Sequence, residues 1–543
     1  MTRTTSSTLR LLPLGGLGEI GMNCLLVATE GRGVIIDCGV TFPDKDEGVD
    51  VYHPSFEALR AWDGKIEALV LTHGHEDHLG AVQYFLESFD VPVYAPRYAR
   101  AQLLHRWEEL GGDPPEIRLF SAGRSFGVGP FEIEAYRVHH SAPDAHGLVI
   151  RGPFGRMIHT GDFKVEARPS SDFDWAIVDR AADEGVDLLL SDSTNVEVDG
   201  RSGSELDAAE SLAELVAAQK GRVVVALFGS NVARMGSTIE AARRAGRKVL
   251  LLGRSVETHA RLGLECEELD AFSDVRISGE EAMRLPRHRV LAIATGTQGE
   301  KLAALPRIAL GTHPDIDLAA GDTVIFSSRI IPGAERAVFE VMSRLQRRGI
   351  HVIDRKDDPF VHVSGHASKD ELRLFLERVR PRAFIPVHGT RRHMEKHAKL
   401  AREVGVREVK VIENGTEVEL RDGLIHVVRE HPTGRVARHR GLVVPPHLLR
   451  ERERLGELGI VIAAIPVDRR ERVTGPCTVG FRGALFEGDP DDVLDELESF
   501  LDRTLRGAQG IEVIEDEARR AMKRFFRGRR PTSPVVHAMA VEI

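Results

Sequence analysis

The sequence predicts an α/β protein with a layered sheet core, an inserted parallel-sheet domain and a small third domain. Three observations carry that expectation. Apolar runs near the N-terminus are separated by tight turns, as in antiparallel hairpins. Between residues 204 and 350, helical and strand patterns alternate, which is the grammar of a parallel sheet. Several apolar runs end abruptly in clusters of His and Asp, so strand ends are expected to carry a site.

The first run, Arg10 to Leu14, precedes Gly16, Gly18 and Gly21, a G-x-G-x-x-G with Asp37 about 20 residues on. A dinucleotide fingerprint needs a helix after those glycines. Instead Asn23 to Ala28 and Val34 to Asp37, split by Glu30-Gly31-Arg32-Gly33, read as a hairpin, so no dinucleotide site is expected. Ile66 to Leu71 reads as a buried strand opening into Thr72-His73-Gly74-His75-Glu76-Asp77-His78. Neutral imidazole and carboxylate are ligands that zinc and manganese take, so His73, His75, Asp77 and His78 are expected to converge on metal.

Phe131 to Tyr136 alternates and runs into Val138-His139-His140-Ser141. Adjacent strand residues face opposite ways, so one of the two histidines reaches the site. Ile158-His159-Thr160-Gly161-Asp162 puts an aspartate at another strand end, with His159 and His146 expected beside the site or at the surface. Asp187 to Leu190 leads into Ser191-Asp192-Ser193-Thr194.

The inserted region offers helix Leu206 to Gln219, strand Arg222 to Phe228 and helix Val232 to Arg244. Strands are expected at Lys248 to Leu252, Val290 to Thr295 and Thr323 to Phe326. Histidine motifs then resume at His362-Val363-Ser364-Gly365-His366 and at Phe384 to Val387 with His388-Gly389-Thr390, flanking helix Lys369 to Arg380. His431 to Arg454 reads as an extended basic linker. Strands Ile460 to Val467 and Cys477 to Phe481 and helices Asp491 to Leu505 and Glu515 to Phe526 then make a small α/β domain, typical of one that self-associates. Its basic run Arg519 to Arg530 is a candidate nucleic-acid contact, although a charged helix face is more often simply solvated.

Composition bounds the function. The 543 residues suffice for three or four domains, and 42% hydrophobic content is ordinary for a globular protein. A net charge of −10 argues against a uniformly basic nucleic-acid binder, although bound cations and local arginines can offset phosphate charge. No apolar run reaches the roughly 18 residues of a membrane span. The polar lead Met1 to Arg10 lacks the apolar segment of a signal peptide. Cys24, Cys38, Cys266 and Cys477 are scattered, as idle thiols in a reducing cytoplasm would be.

His-x-His-x-Asp-His resembles the signature of the metallo-β-lactamase superfamily, which is specific for fold and not for substrate. With Ser191 to Thr194 and the blocks at 362–366 and 384–390, the chain resembles the β-CASP nucleases. Within that branch it is similar to bacterial ribonuclease J, through Gly15 to Asn23, Thr295 to Glu300, and Ser327-Ser328-Arg329 with Ile331-Pro332-Gly333. The resemblance implies a metallo-β-lactamase αββα sandwich (1–203 and 351–430), an inserted α/β β-CASP domain (204–350), a linker (431–454) and a small C-terminal α/β domain (455–543).

It further implies two divalent ions, zinc or manganese, one held by His73, His75 and His140 and one by Asp77, His78 and His388, with Asp162 bridging. Such a pair activates water and neutralises phosphate. Asp77, Asp192 and His366 would be catalytic, His366 donating a proton to the departing 3′ oxygen. The implied activity is 5′-3′ exoribonuclease preferring a 5′ monophosphate, with endoribonuclease activity, in RNA maturation and decay. The partners would be single-stranded RNA, a second copy in a homodimer or homotetramer through the C-terminal domain, and other RNA-decay proteins, with no membrane. The 5′ pocket is expected from Ser230, Asn231, His362, Val363, Ser364, Gly365 and His366, with Ser327 and Ser328 as further candidates. The same residue types also cap helices and form turns. Two departures stand out: Ala233 where the family has histidine, and Ala334 where it has asparagine. A DNA-processing nuclease of the same branch is the nearest rival. A small-ester hydrolase would lack the insertion and the Ser-Gly-His block.

Overall fold

The computed structural model describes residues 8–43, 48–166, 173–331, 333–527, 529 and 533–543. Most of the lead Met1 to Arg10, Pro332, and Gly528 and Arg530 of the basic run lie outside them. The chain forms two compact units, residues 1–42 with 52–435, and residues 43–51 with 436–543.

In the first unit two sheets face each other. One has eight strands in the order Leu424–Glu430, Thr416–Arg421, Leu9–Gly15, Cys24–Thr29, Arg32–Ile36, Lys65–Val70, Val93–Ala95, Ile117–Leu119. The other has seven: Glu408–Val409, Ala383–Val387, Leu188–Asp192, Gly155–His159, His146–Gly152, Phe131–Arg137, Ser125–Val128. Their inner faces make one core, in which Leu11, Val27, Val34 and Val70 join Ile133, Leu148, Met157, Leu190 and Ile385. Each such buried side chain stabilises the fold by about 1.5–3 kcal/mol relative to exposure. Helices Trp175–Glu184, Lys369–Val379 and Arg391–Glu403 cover Ile158, Leu189 and Phe384 on the second sheet's outer face. Val82–Leu86 and Arg97–Leu110 are the crossovers between parallel strands of the first sheet. This is the expected αββα sandwich.

The pairing explains where the site lies. Gly155–His159, Leu188–Asp192 and Ala383–Val387 are mutually parallel neighbours, so their carboxyl ends finish on one edge. Ligands of α/β folds gather at such ends.

The inserted domain is an all-parallel sheet in the order Lys248–Leu252, Val290–Ala294, Val223–Ala226, Thr323–Phe326, His351–Ile353. The last strand corrects the expected boundary at residue 350. Thr323 to Ile325 pair with His351 to Ile353, so the insertion runs past that point.

In the second unit Thr478–Arg482, Ile460–Val467 and Val535–Glu542 form a sheet. Helices Pro490–Thr504 and Ile511–Phe526 pack Leu497, Leu501, Ile514 and Ala518 onto Val461 and Ala463. Val535–Glu542 lies parallel to Ile460–Val467 over eight residue pairs and was not expected, because His537 and Glu542 break its apolar pattern. The extended linker expected at 431–454 is also corrected. Arg435–His439 and Leu442–Val444 form a hairpin whose turn residues Arg440 and Gly441 both have positive φ (50° and 80°). Such a turn matches the strand twist. Pro446 then opens the helix Pro446–Leu458, where its missing N–H costs nothing.

One close approach ties the first sheet to the metal-type loop. Cys38 and Val40 donate backbone bonds to His78 (2.7 Å) and Glu76 (3.0 Å), and a Cβ on Gly39 would stand 1.7 Å from the Asp77 carbonyl oxygen. Gly39→Ala should therefore cost about 1–3 kcal/mol in urea unfolding. Gly127→Ala, with nothing within 4 Å of its Cβ position, should stay within about 0.5 kcal/mol. Equal effects would contradict this packing.

Candidate metal centre

Three groups of donor atoms meet at the shared edge. His73, His75, His140 and Asp162 form one; Asp77, His78, Asp162 and His388 a second; Asp162, Asp192, His366 and His388 a third. Within each group the donor atoms all lie within 4.8 Å of one another, and Asp162 belongs to all three.

Local structure aims each ring. His140 Nδ1 donates to the Gly365 carbonyl at 2.7 Å, which turns its Nε2 to 3.0 Å from His75 Nδ1. His78 Nδ1 lies 2.8 Å from Asp37 Oδ2, leaving Nε2 at 3.2 Å from Asp162 Oδ2. His73 Nδ1 faces Thr72 Oγ1 at 3.0 Å, while its buried Nε2 has no hydrogen-bond partner among the described residues. A buried orphan nitrogen costs about 1–3 kcal/mol, and a cation would satisfy it. His388 reaches Asp77 with Nε2 (3.3 Å) and Asp162 with Nδ1 (3.1 Å). His388 and Asp37 both adopt positive φ (52° and 59°), a strained conformation that clusters at functional sites. The donor set of neutral imidazoles and carboxylates, closely grouped and buried, fits a divalent cation such as zinc or manganese.

The charges compensate one another. Burial alone would hold Asp162 neutral, but His388, His78 and His366 pull its carboxyl well below the usual range. Asp77 and Asp192 are likewise held low, against burial, by His78 and His366 respectively. Burial disfavours the charged forms of His78 and His388, yet the facing carboxylates outweigh it, Asp162 first, and push His388 up to about 10. His73 and His140 go the other way, driven well below their ordinary value by burial and neighbouring imidazoles.

His366 sits at the rim. Its Nδ1 is 2.8 Å from Asp192 Oδ2, while Asp192 Oδ1 accepts from the Thr194 N–H (2.9 Å) and hydroxyl (2.7 Å). Burial opposes its charge, but Asp192 and Asp162 raise its pKa.

The structure settles which adjacent histidine joins the cluster. His140 does; His139 Nδ1 instead accepts from the Glu166 N–H at 3.1 Å, and its ring meets Phe173. His146 and His159 are both buried, so neither is at the surface: His146 Nδ1 lies 2.8 Å from the Asp144 carbonyl, and His159 Nδ1 accepts from the Gly161 N–H.

Of the expected pocket residues, Ser364, Gly365 and His366 meet at the site. Ser364 Oγ accepts from Asn195 Nδ2 (2.7 Å) and from the His366 N–H (3.1 Å). Gly365 offers its carbonyl to His140, and a Cβ there would stand 2.7 Å from Ser141 Oγ and 3.1 Å from the His140 ring, so a larger residue would press on that ring. Val363 is buried against Gly203. His362 is buried with its Nδ1 unpartnered among the described residues; burial and the cations of Arg234, Arg355, Lys164 and Arg329 hold it well below its ordinary pKa. Asn231 is used differently. Its side chain accepts from the Arg234 N–H at 2.9 Å and caps the helix Val232–Arg244, with Ser230 in the turn before it. Ser327 donates to the Val361 carbonyl, and Ser328 is buried. Ala334 begins the helix Glu335–Arg347 without a side-chain cap, and Ala233 lines a cavity of about 260 Å³ beside His139 and His140.

Sequence reasoning missed Asp37, Asn195 and Asn23, whose side-chain amide donates to the Asp77 carbonyl at 3.0 Å. Asp37 accepts from the Thr72 N–H (2.7 Å) and hydroxyl (2.9 Å) as well as facing His78. Its signal was available: a lone aspartate closing the apolar run Val34-Ile35-Ile36, as Asp192 closes Leu188 to Leu190. Beside the centre a cleft of about 1050 Å³ opens between Glu76, Gln102 and Arg106 on one wall and Arg254, His259 and Arg307 of the inserted domain on the other.

Comparison with known proteins then decides the family. "Metallo-beta-lactamase superfamily" matches residues 17–244, "Ribonuclease J, beta-CASP domain" 220–345, "Zn-dependent metallo-hydrolase RNA specificity domain" 358–412 and "Ribonuclease J C-terminal domain" 447–543. Ribonuclease J of Corynebacterium glutamicum is 36% identical over 98% of this chain and 76% of its own. That of Sinorhizobium meliloti is 37% identical over 90% of this chain and 86% of its own, and that of Mycobacterium tuberculosis 40% over 80% and 78%. The chain belongs to the ribonuclease J family. It is accordingly a metal-dependent ribonuclease, and the divalent-metal expectation and the RNA-binding expectation both stand. A crystal structure of a protein of unknown function from Enterococcus faecalis V583 shares the fold, with TM-score 0.56 and 19% identity over 76% of this chain and all of that one. No helix among the described residues is long and apolar enough to cross a membrane.

Two outcomes follow for metal binding. The facing carboxylates raise His78 and His388 and so favour their protonated forms in the metal-free chain; a ligating imidazole must be neutral, so metal binding there should release protons. Affinity should rise with pH up to the His388 value of about 10. Zinc titrations in buffers of different ionisation enthalpy check this; a buffer-independent heat would contradict it. Asp37→Ala should weaken metal binding about 10- to 100-fold, and unchanged affinity would remove Asp37 from the site.

Proposed function

We propose that this ribonuclease degrades single-stranded RNA from a 5′-monophosphorylated end and also cuts internally, with two divalent ions held by the seven ligands His73, His75, His140, Asp77, His78, His388 and Asp162. The observation that carries the reading is the meeting of all three donor groups on Asp162 beneath the Ser364-Gly365-His366 turn. When bound, two zinc or manganese ions would polarise the scissile phosphate and supply an activated water.

The chain's own residues do the rest. Asp192 fixes His366 through Nδ1, which leaves Nε2 free to protonate the departing 3′ oxygen. Ser364 Oγ, the unpartnered His362 Nδ1 and the exposed Arg329 are suited to a terminal phosphate. Arg329 is fixed by donating to Asn195 Oδ1 at 2.8 Å. The cleft beside Glu76 carries Arg106, Arg254 and Arg307 together with Glu109, Glu257 and Asp315, and the three arginines are the groups suited to a phosphate backbone.

The second unit, residues 43–51 with 436–543, is proposed to mediate dimer or tetramer formation. Its strand Val535–Glu542 leaves Met539 and Val541 exposed, and Ile543 follows it, which supports that role. Four unpaired, buried cysteines suit work in the cytoplasm, alongside other RNA-decay proteins.

End-labelled RNA carrying a 5′ monophosphate or triphosphate, and duplex DNA, test the reading. Monophosphorylated RNA should be trimmed processively; equal turnover of duplex DNA would overturn the proposal. Asp77→Ala should abolish cleavage in a folded protein, and His366→Ala should lower kcat about 10²- to 10⁴-fold. Full activity in either variant would remove that residue from the proposed machinery.

A further inference from the structure

A second set of charged groups lies behind the metal centre and is not used by the chemistry above. Arg234 is wholly buried. Its Nε donates to Glu205 Oε2 and its Nη2 to Glu205 Oε1, both at 2.9 Å, while Nη1 donates to Ser327 Oγ (2.7 Å) and to the Val361 carbonyl (3.2 Å). Ser327 Oγ donates to that same carbonyl at 2.7 Å. Lys164, also wholly buried and two residues past Asp162, pairs with Glu166 at 2.9 Å and donates to the Gly203 carbonyl at 3.2 Å. Glu166 accepts from the Ser204 hydroxyl (3.1 Å) and the Glu205 N–H (3.2 Å).

Two buried cations and two buried carboxylates thus fasten four segments: the strand end after Asp162, the entry to the inserted domain at 203–205, the inserted helix at Arg234, and Val361. Val361 opens the segment 361–366, in which Gly365 holds His140 and His366 meets Asp192. Buried ion pairs seldom stabilise a fold beyond what apolar residues of the same volume supply, so such a network is best explained by what it aligns.

We propose that Arg234 and Glu205 are positioning residues that set the 361–366 segment against the Asp162 strand end, and that alignment of Ser364 and His366 on substrate depends on them. The proposal rests on the reading of His366 as proton donor. Removing one partner leaves an uncompensated charge; replacing both removes the charges while keeping the volume.

The test compares Arg234→Met, Glu205→Met and the double variant for melting temperature, bound metal, and kcat and KM on 5′-monophosphorylated and 5′-triphosphorylated RNA. Each single variant should melt lower than the parent. The double variant should recover melting temperature and bind the parent complement of metal, yet lose about 10- to 100-fold in kcat and part of its preference for the monophosphate. A double variant that turns over at the parent rate overturns the proposal. Should the double variant not fold, Ser327→Ala removes the hydroxyl between Arg234 and Val361 without touching charge. It should lower kcat about fivefold or more at unchanged melting temperature, and a parent-like kcat would overturn the proposal. Full activity in His366→Ala would instead sink the proton-donor reading, so the two failures are distinguishable.

Discussion

The Asp162 carboxylate is the constraint around which the first unit is organised. It is buried, it belongs to every donor group at the centre, and nothing but its neighbours compensates its charge. An isolated buried carboxylate would protonate or unfold its surroundings. Here His388, His78 and His366 surround it, and each is in turn held by a second carboxylate: Asp77 or Asp192 for His388, Asp37 for His78, Asp192 for His366. The cluster is a balanced set of opposite charges, and divalent cations binding there would displace its protons.

Backbone architecture makes that balance possible. Parallel neighbours bring Asp162, Asp192 and His388 to one edge, and the first sheet delivers His73 to His78 opposite them. The strand end Asp37 to Val40 then locks the histidine loop from below through backbone bonds that only glycine at position 39 permits. The inserted domain contributes no proposed metal ligand. Its part is the wall of the cleft and, through Arg234, the setting of the segment that carries His366.

Much of this was legible in the sequence because strand ends announce themselves. An apolar run that stops in His or Asp located His73 to His78, Asp162, Asp192 and His388. The two-residue strand period limited His139 and His140 to one ligand but could not say which; the Gly365 carbonyl, 225 residues away, makes that choice. Asp37 escaped notice because it fell in the spacing of a dinucleotide fingerprint, and rejecting the fingerprint left the residue without a role. Ser230 and Asn231 carry the residue types of a phosphate pocket, yet Asn231 is spent on a helix cap, and sequence cannot separate those uses. The C-terminal strand Val535–Glu542 is stabilised by pairing with Ile460–Val467 more than by its own pattern, so it was silent in the sequence. In the Lys164–Glu166–Glu205–Arg234 network only the first pair is local; the links from Glu166 to Glu205 and from Glu205 to Arg234 are tertiary contacts that no spacing rule finds.

The central claim is that Asp162 joins two cation sites. Anomalous scattering from crystals loaded with manganese tests it most directly. The account requires two peaks, one among His73, His75 and His140 and one among Asp77, His78 and His388, with the Asp162 carboxylate in contact with both. A single peak, or a pair that leaves Asp162 uncoordinated, would contradict it.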